Sequence, residues 1–324
     1  MEMIDARRVH ELLDYKGLIP ALETAHLGGM PKQSDRLIYQ EPNPEGQPDI
    51  FIILPAWQPQ EGILAKLVTS FPNNKARHNL PTVNSVYVFI NADTGVTEAV
   101  IDGEAMIFRK TSSDSALGSK ILSRPDAENM LMIGAGGLAP YLVEAHMAAR
   151  PSIKSVKIWN RTAANAEALA DTLSERGIAA HAVDDLDAAV SQADIISSAT
   201  MAQTPHIKGK LLKPGAHIDL VGSFTPEMRE ADDDVLTRAS IFVDHRQTTT
   251  RSGEFLGPYE RGIITPDDVK GDLFELCQGK VPGRQSADEI TMMKNGGGSH
   301  IDYYVAKYLM DRHYGRTFTT SCAS

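Results

Sequence analysis

The stretch from Met130 to Ala148, MLMIGAGGLAPYLVEAHMA, constrains this chain more than any other. Four apolar residues run into glycines at 134, 136 and 137, and a helix-like segment follows. In a corner of this kind each position has its own task. Gly134 permits the tight turn, Gly136 lets the backbone approach a pyrophosphate, and Ala139 replaces the third glycine where helix meets strand. With Ala135, Gly137 and Leu138, these residues set the free N–H groups and positive dipole end of a helix before an anion. Alone, the pattern also describes a plain strand-to-helix corner, so its context decides.

From Asn129 onward, apolar strand-like segments alternate with helical ones. NMLMIG, SVKIWN, ADIISSAT, GAHIDLVG and ASIFVD read as strands; LAPYLVEAHMAAR and TAANAEALADTLSERG read as helices, the second stopped by Gly177. This predicts an α/β domain over 121–294, a Rossmann-type doubly wound parallel sheet. Residues 1–120 read as a separate, strand-rich α+β domain, with DARRVHELL a helix capped by Asp5 and DIFIILPAW and SVYVFINADTG as strands. After MMKNGGGSH, Ile301, Tyr304, Val305 and Leu309 recur at helical spacing, and 295–324 is expected to return to the first domain. The Gly296 to Gly298 run reads as a hinge, a tight backbone approach or a flexible turn.

At 324 residues and 42% hydrophobic content the chain can bury two cores. No apolar run approaches the roughly 20 residues that cross a bilayer. The start, MEMIDARRVHELLDYKG, lacks the continuous apolar centre of a secretory signal, so a soluble cytoplasmic protein is expected. Cys277 and Cys322 read as unrelated thiols, with no disulfide framework and no metal-ligand spacing. A formal charge of -10 disfavours a nucleic-acid partner, whose phosphates it repels.

The second strand indicates the cofactor. About 20 residues past the glycine turn, where an acid would accept hydrogen bonds from the ribose of NAD, stand Asn160, Arg161 and Thr162. An amide, a guanidinium fork and a hydroxyl suit a 2′-phosphate, so NADPH is expected to be preferred and NADH to bind more weakly. Thr200 and Val221, at the ends of the next two strands, complete the expected cofactor contacts.

In the first domain, Arg36 in SDRLIYQ, Lys66 in GILAKLVTS and Arg109 in AMIFRKTSS lie in strand-rich, otherwise apolar surroundings. Two guanidinium forks and an ammonium suit a small carboxylate. His78, His245 and His300 are candidate proton donors, but a lone histidine is more often structural.

At this point the chain resembles a known family. PAW at 55–57, GILAKLVTSFPNN, LPTVNSVYVFINADTGVTEAVIDG with Thr82 and Gly95, RKTSSDSALGSKILSRPDA and the GAGGLA turn together resemble the ornithine cyclodeaminase/mu-crystallin family, from about Ala6 to Ala306. The resemblance is weakest at NGGGSH. It implies a homodimeric enzyme whose strand-rich domain binds substrate and dimerises. By position, Arg36, Lys66 and Arg109, with Thr82, match residues that hold an amino- or imino-acid carboxylate. Lys66 is assigned the catalytic role, first as carboxylate ligand and second as proton donor.

Ornithine cyclodeaminases carry an aspartate after the VG strand, where DLVGSFTPEMRE has Phe224. Without that base, attack of an ornithine amine on an imine loses its driving group. VGSFTPEMRE instead resembles members that reduce cyclic ketimines, Δ1-pyrroline-2-carboxylate and Δ1-piperideine-2-carboxylate, to proline and pipecolate with hydride from NADPH. The expected partner is thus a small anionic imino acid. Alternatives are a cyclodeaminase, an amino-acid dehydrogenase or N-alkylamino-acid reductase of the same family, and a non-catalytic protein that holds NADPH and a small ligand.

Overall fold

The structure, a computed structural model, describes residues 1–33, 36–44 and 46–320, so Cys322 lies outside the described residues. The chain divides into two units, one of Met1–Lys110 with Ser299–Ser324 and one of Thr111–Gly298. The first division falls inside helix Gly103–Leu122, ten residues before the expected 120.

The second unit is built on an eight-stranded sheet, parallel at every pairing. Its order is Ala180–Ala182, Ser155–Trp159, Asn129–Ile133, Ile195–Ser198, His217–Leu220, Thr291–Lys294, Ser240–Val243 and Val269–Asp272. The chain starts in the middle, at Asn129–Ile133, winds outward to one side, and restarts at Ile195–Ser198 on the other. That reversal opens a crevice at the carboxyl ends of these two strands.

Side chains alternate across a strand, and here both faces are apolar. Met130 and Met132 pack with Leu142, Val143, Leu169 and Leu173 on one face. Leu131 and Ile133 pack with Val190, Val235, Leu236 and Phe255 on the other. Asn129–Ile133 therefore reads as an unbroken apolar run and was legible as a strand, as were Ser155–Trp159, Ile195–Ser198, His217–Leu220 and Ser240–Val243, whereas Ala180–Ala182 and Val269–Asp272, short and mixed in polarity, were not. Nor was Thr291–Lys294, because it ends in a fully buried lysine beside the glycine run.

The first unit holds a seven-stranded mixed sheet. Its order is Glu2–Ile4, Thr97–Asp102, Val83–Ile90, Gly62–Ser70, Asp49–Gln58 and Lys32–Gln33, with Leu37–Glu41 also paired to Asp49–Gln58. Helix Ala6–Leu12 begins where expected, the Asp5 carboxylate accepting from the Arg8 amide at 2.8 Å. Helix Ser299–His313 packs on Gly62–Ser70, Asp49–Gln58 and helix Tyr15–Leu27, its Tyr304 hydroxyl donating to the Gly29 carbonyl at 3.0 Å. Among the described residues no helix is long and apolar enough to cross a membrane.

One placement corrects the sequence reading. Arg109, expected in strand-rich surroundings, lies on helix Gly103–Leu122. The buried residues of that helix include Ser112, Ser113, Ser115, Ala116 and Ser119, so it carries little of the apolar periodicity that marks a helix.

The glycine run is a tight backbone approach. The amides of Gly296 and Gly297 donate to the buried Asp244 carboxylate at 3.0 and 2.5 Å, and Gly297 takes a φ of 66°. A Cβ at Gly296 would fall 2.6 Å from the Thr249 hydroxyl.

Candidate functional site

In the second unit the glycine turn has two contrasting positions. Gly134 has a φ of 101° and donates its amide to the Trp159 carbonyl at 2.9 Å. A Cβ there would lie 2.7 Å from the Ala199 carbonyl oxygen, so only glycine fits. A Cβ at Gly136 would meet nothing within 4 Å. The exposed backbone at Gly136 and Gly137 thus has open space beside it, as the approach of a pyrophosphate requires. Helix Ala139–Ala149 follows with Pro140 in its first turn and no side-chain cap from Leu138. Its leading amides suit an anion. These residues fit a dinucleotide.

The Asn160 side chain bridges the turn to the second strand. Its Oδ1 accepts from the Ala135 amide at 3.2 Å, and its Nδ2 donates to the Thr162 carbonyl at 3.0 Å. Arg161 and Thr162 are exposed. The amide expected to face a 2′-phosphate is therefore engaged in building the turn, which leaves the guanidinium and the hydroxyl.

Thr200 and Val221 both lie just past strand ends, partly buried. Val221 donates its amide to the Ser198 carbonyl at 2.8 Å. The Thr200 amide and hydroxyl donate to Glu230 Oε1 at 2.7 and 2.8 Å. Burial pushes the Glu230 carboxyl up to about 7, against its hydroxyl donors and the nearby Lys294 ammonium. Phe224, where cyclodeaminases carry an aspartate, is 64% exposed.

In the first unit, Lys66 lies on strand Gly62–Ser70 directly across from Tyr87, with its ammonium 5.2 Å from the ring centroid. Asp302, on helix Ser299–His313, places one carboxylate oxygen 3.8 Å from the Lys66 ammonium and the other 3.8 Å from that of Lys110. The Tyr87 hydroxyl donates to Asp302 Oδ1 at 2.8 Å. Burial pulls the Lys66 ammonium below the usual lysine range, and Asp302 only partly offsets it. Burial would raise the Asp302 carboxyl, but Lys110, Lys66 and the Tyr87 hydroxyl outweigh it and hold it low. Burial and the Asp302 charge keep the Tyr87 hydroxyl protonated.

Arg109, one residue before Lys110, donates from Nε to His10 Nδ1 at 3.1 Å and stacks its guanidinium 4.6 Å from the Tyr15 ring centroid. Arg36 is exposed. Thr82 is half-buried, its carbonyl accepting from the Phe71 amide at 2.8 Å. Of the three histidines, His78 is exposed, His245 precedes helix Arg246–Thr249, and His300 is buried beside the rings of His26 and Tyr304.

Sequence reasoning missed Asp302, Lys110, Tyr87 and Glu230. Asp302 had a readable signal, since Ile301, Tyr303, Tyr304 and Val305 flank it, and the structure buries the whole run from His300 to Ala306. An acid inside such a run needs a cationic or hydrogen-bonding partner. Glu230 had none, because its partners lie at two separate strand ends.

Comparison with known proteins gives the same architecture. The chain is 41% identical over 298 residues to the Δ1-pyrroline-2-carboxylate reductase of Paracoccus denitrificans, covering 92% of each chain. It is 38% identical over 324 residues to Protein SAR DEFICIENT 4 of Arabidopsis thaliana, covering 97% of this chain and 98% of that one. Among solved structures, the Δ1-pyrroline-2-carboxylate reductase of Thermococcus litoralis in complex with NADH and L-proline matches with a TM-score of 0.89 at 25% identity, over 99% of this chain and 100% of that one. The model of the ornithine cyclodeaminase/mu-crystallin family matches residues 3–317, and the chain belongs to that family.

Proposed function

We propose that the chain is a nicotinamide-dependent oxidoreductase acting on a C=N bond, which reduces a small cyclic imino acid, Δ1-pyrroline-2-carboxylate or Δ1-piperideine-2-carboxylate, to L-proline or L-pipecolate. The observation that carries this reading is the mostly buried Lys66 ammonium, which with Lys110 outnumbers the single Asp302 carboxylate between them and so favours a small anion. The 41% identical reductase of Paracoccus denitrificans supports the reaction class. Phe224 supports reduction over cyclodeamination, since it offers no base.

In this reading Lys66, Arg109, Arg36 and Thr82 hold the substrate, and Lys66 is the residue on which turnover depends. Its lowered proton affinity also equips it to pass a proton to a ring nitrogen. The bound dinucleotide supplies the hydride. Gly134, Ala135, Gly136, Gly137 and Leu138 form its pyrophosphate turn, Asn160 braces that turn, and Thr200 and Val221 border it further along the sheet. Arg161 and Thr162 favour NADPH over NADH.

A homodimer is part of the proposal. It is supported by strand Leu37–Glu41, which exposes all five residues, Leu37, Ile38 and Tyr39 among them. Light scattering on the purified protein tests it, a monomer at working concentration being the contrary result.

The decisive assay follows NADPH consumption with five- and six-membered cyclic imino acids, and ammonia release from ornithine. Rapid oxidation with an imino acid and no ammonia is expected. Robust conversion of ornithine to proline would show that another residue supplies the base.

A further inference from the structure

In a doubly wound sheet, a dinucleotide lies across the carboxyl ends of the strands at the point where their order reverses. With its pyrophosphate over the glycine turn and its adenosine half toward Arg161, the remaining half passes the ends of Ile195–Ser198 and His217–Leu220. Those two ends meet backbone to backbone. A Cβ at Gly222 would overlap the Thr200 backbone, and one at Gly134 would lie 3.2 Å from Thr200 Cγ2. Little side-chain packing is therefore available there to set the spacing of the two loops.

One buried carboxylate links them. Glu230 Oε1 accepts from the Ser198 hydroxyl at 2.6 Å, the Thr200 amide at 2.7 Å and the Thr200 hydroxyl at 2.8 Å. Its Oε2 accepts from the Gly222 amide at 2.7 Å. Glu230 is itself held from behind, its own amide donating to the buried Glu254 carboxylate. The four donors come from the exits of two neighbouring strands and converge on a single residue that presents no surface to solvent.

We propose that Glu230 is a positioning residue for the nicotinamide half of the cofactor, fixing the spacing of the Thr200 and Gly222 loops without touching the cofactor. The proposal rests on the dinucleotide reading above. A carboxylate suits the task because both oxygens accept, whereas an amide can serve only one loop. Misplacement of reacting groups by about 1 Å can cost roughly a hundredfold in rate, which makes such a clamp consequential.

The test is isothermal titration of wild type and Glu230→Gln with two ligands: NADPH, and 2′-phospho-ADP-ribose, which lacks only the nicotinamide. Glu230→Gln is expected to bind NADPH roughly tenfold more weakly, as for loss of one charge-assisted hydrogen bond, with 2′-phospho-ADP-ribose unchanged. Ser198→Ala, which removes one donor from a buried strand residue, is expected to shift NADPH the same way by about threefold. Should Glu230→Gln fail to fold, Ser198→Ala decides on the same two ligands. Equal weakening of both ligands assigns Glu230 a merely structural role and overturns the proposal, as does no weakening of either. If wild type binds neither ligand, the dinucleotide reading itself falls, and the proposal with it.

Discussion

Lys66 and Asp302 face one another at 3.8 Å, an ammonium on a strand of the first sheet and a carboxylate on the helix that closes the chain. The separation is longer than a hydrogen bond, so the pair attracts without locking. The Lys66 side chain keeps 13% of its surface exposed, against 3% for Asp302.

If Lys66 acts on substrate, Lys66→Met should preserve volume, NADPH binding and the melting temperature while lowering kcat/KM. Loss of an ionic contact made in the transition state costs about 2–4 kcal/mol, or roughly 30- to 1,000-fold. Steady-state kinetics with the cyclic imino acid, beside thermal unfolding and cofactor titration, check this. Near-normal turnover would exclude the role, and a collapsed melting temperature would make Lys66 structural.

The lowered proton affinity of Lys66 sets a pH signature. The protonated amine is the active form, so kcat/KM is full below the Lys66 pKa and declines as pH rises through it. Because burial moves that pKa downward, the decline should begin below the ordinary lysine range of about 10.4. Asp302→Asn removes the charge that partly offsets burial, and should move the alkaline limb to still lower pH. A limb that stays in place would dissociate it from Lys66.

Arg161→Ala should weaken NADPH far more than NADH. A charge-assisted hydrogen bond to phosphate contributes about 1.5–3 kcal/mol, roughly 10- to 150-fold in Kd. Fluorescence titration with both cofactors measures it, and equal losses would remove the phosphate assignment.

Gly134→Ala should disrupt the turn at its origin. A φ of 101° and a carbonyl oxygen 2.7 Å from the new Cβ combine backbone strain with overlap. A cost of about 1–3 kcal/mol in unfolding free energy is expected, with cofactor affinity reduced. Gly136→Ala, which meets no protein atom, should leave stability nearly unchanged and still impair cofactor binding. Unimpaired binding in that variant would place the pyrophosphate elsewhere.

The glycine turn and its strands were legible because their signal is local. Apolar runs, a helix start and glycines occupy adjacent positions, and every task of Gly134 is set by residues packed on one sheet. The burial of Lys66 on its strand was legible by its apolar flanks. Asp302 was passed over although apolar and aromatic residues flank it, and Glu230 gave no signal, since its partners are distant in sequence and an isolated acid looks the same whether it faces water or a buried donor. Arg109 was misplaced because serines occupy helix positions where apolar residues would have revealed the period.

The glycine run at 296–298 has a practical consequence for anyone modifying this protein. Written as NGGGS, it resembles the flexible linker an engineer would choose for a tag, a protease site or new termini. Here two of its amides serve a buried carboxylate, and an insertion would strip Asp244 of both. The Asp244 oxygen they serve would lose its donors while the other keeps the His245 amide and the Thr249 hydroxyl, and a buried carboxylate oxygen without donors destabilises more than a disturbed loop. The turn at Asn91 to Val96, whose Gly95 has open space around it, is the better place to cut the chain.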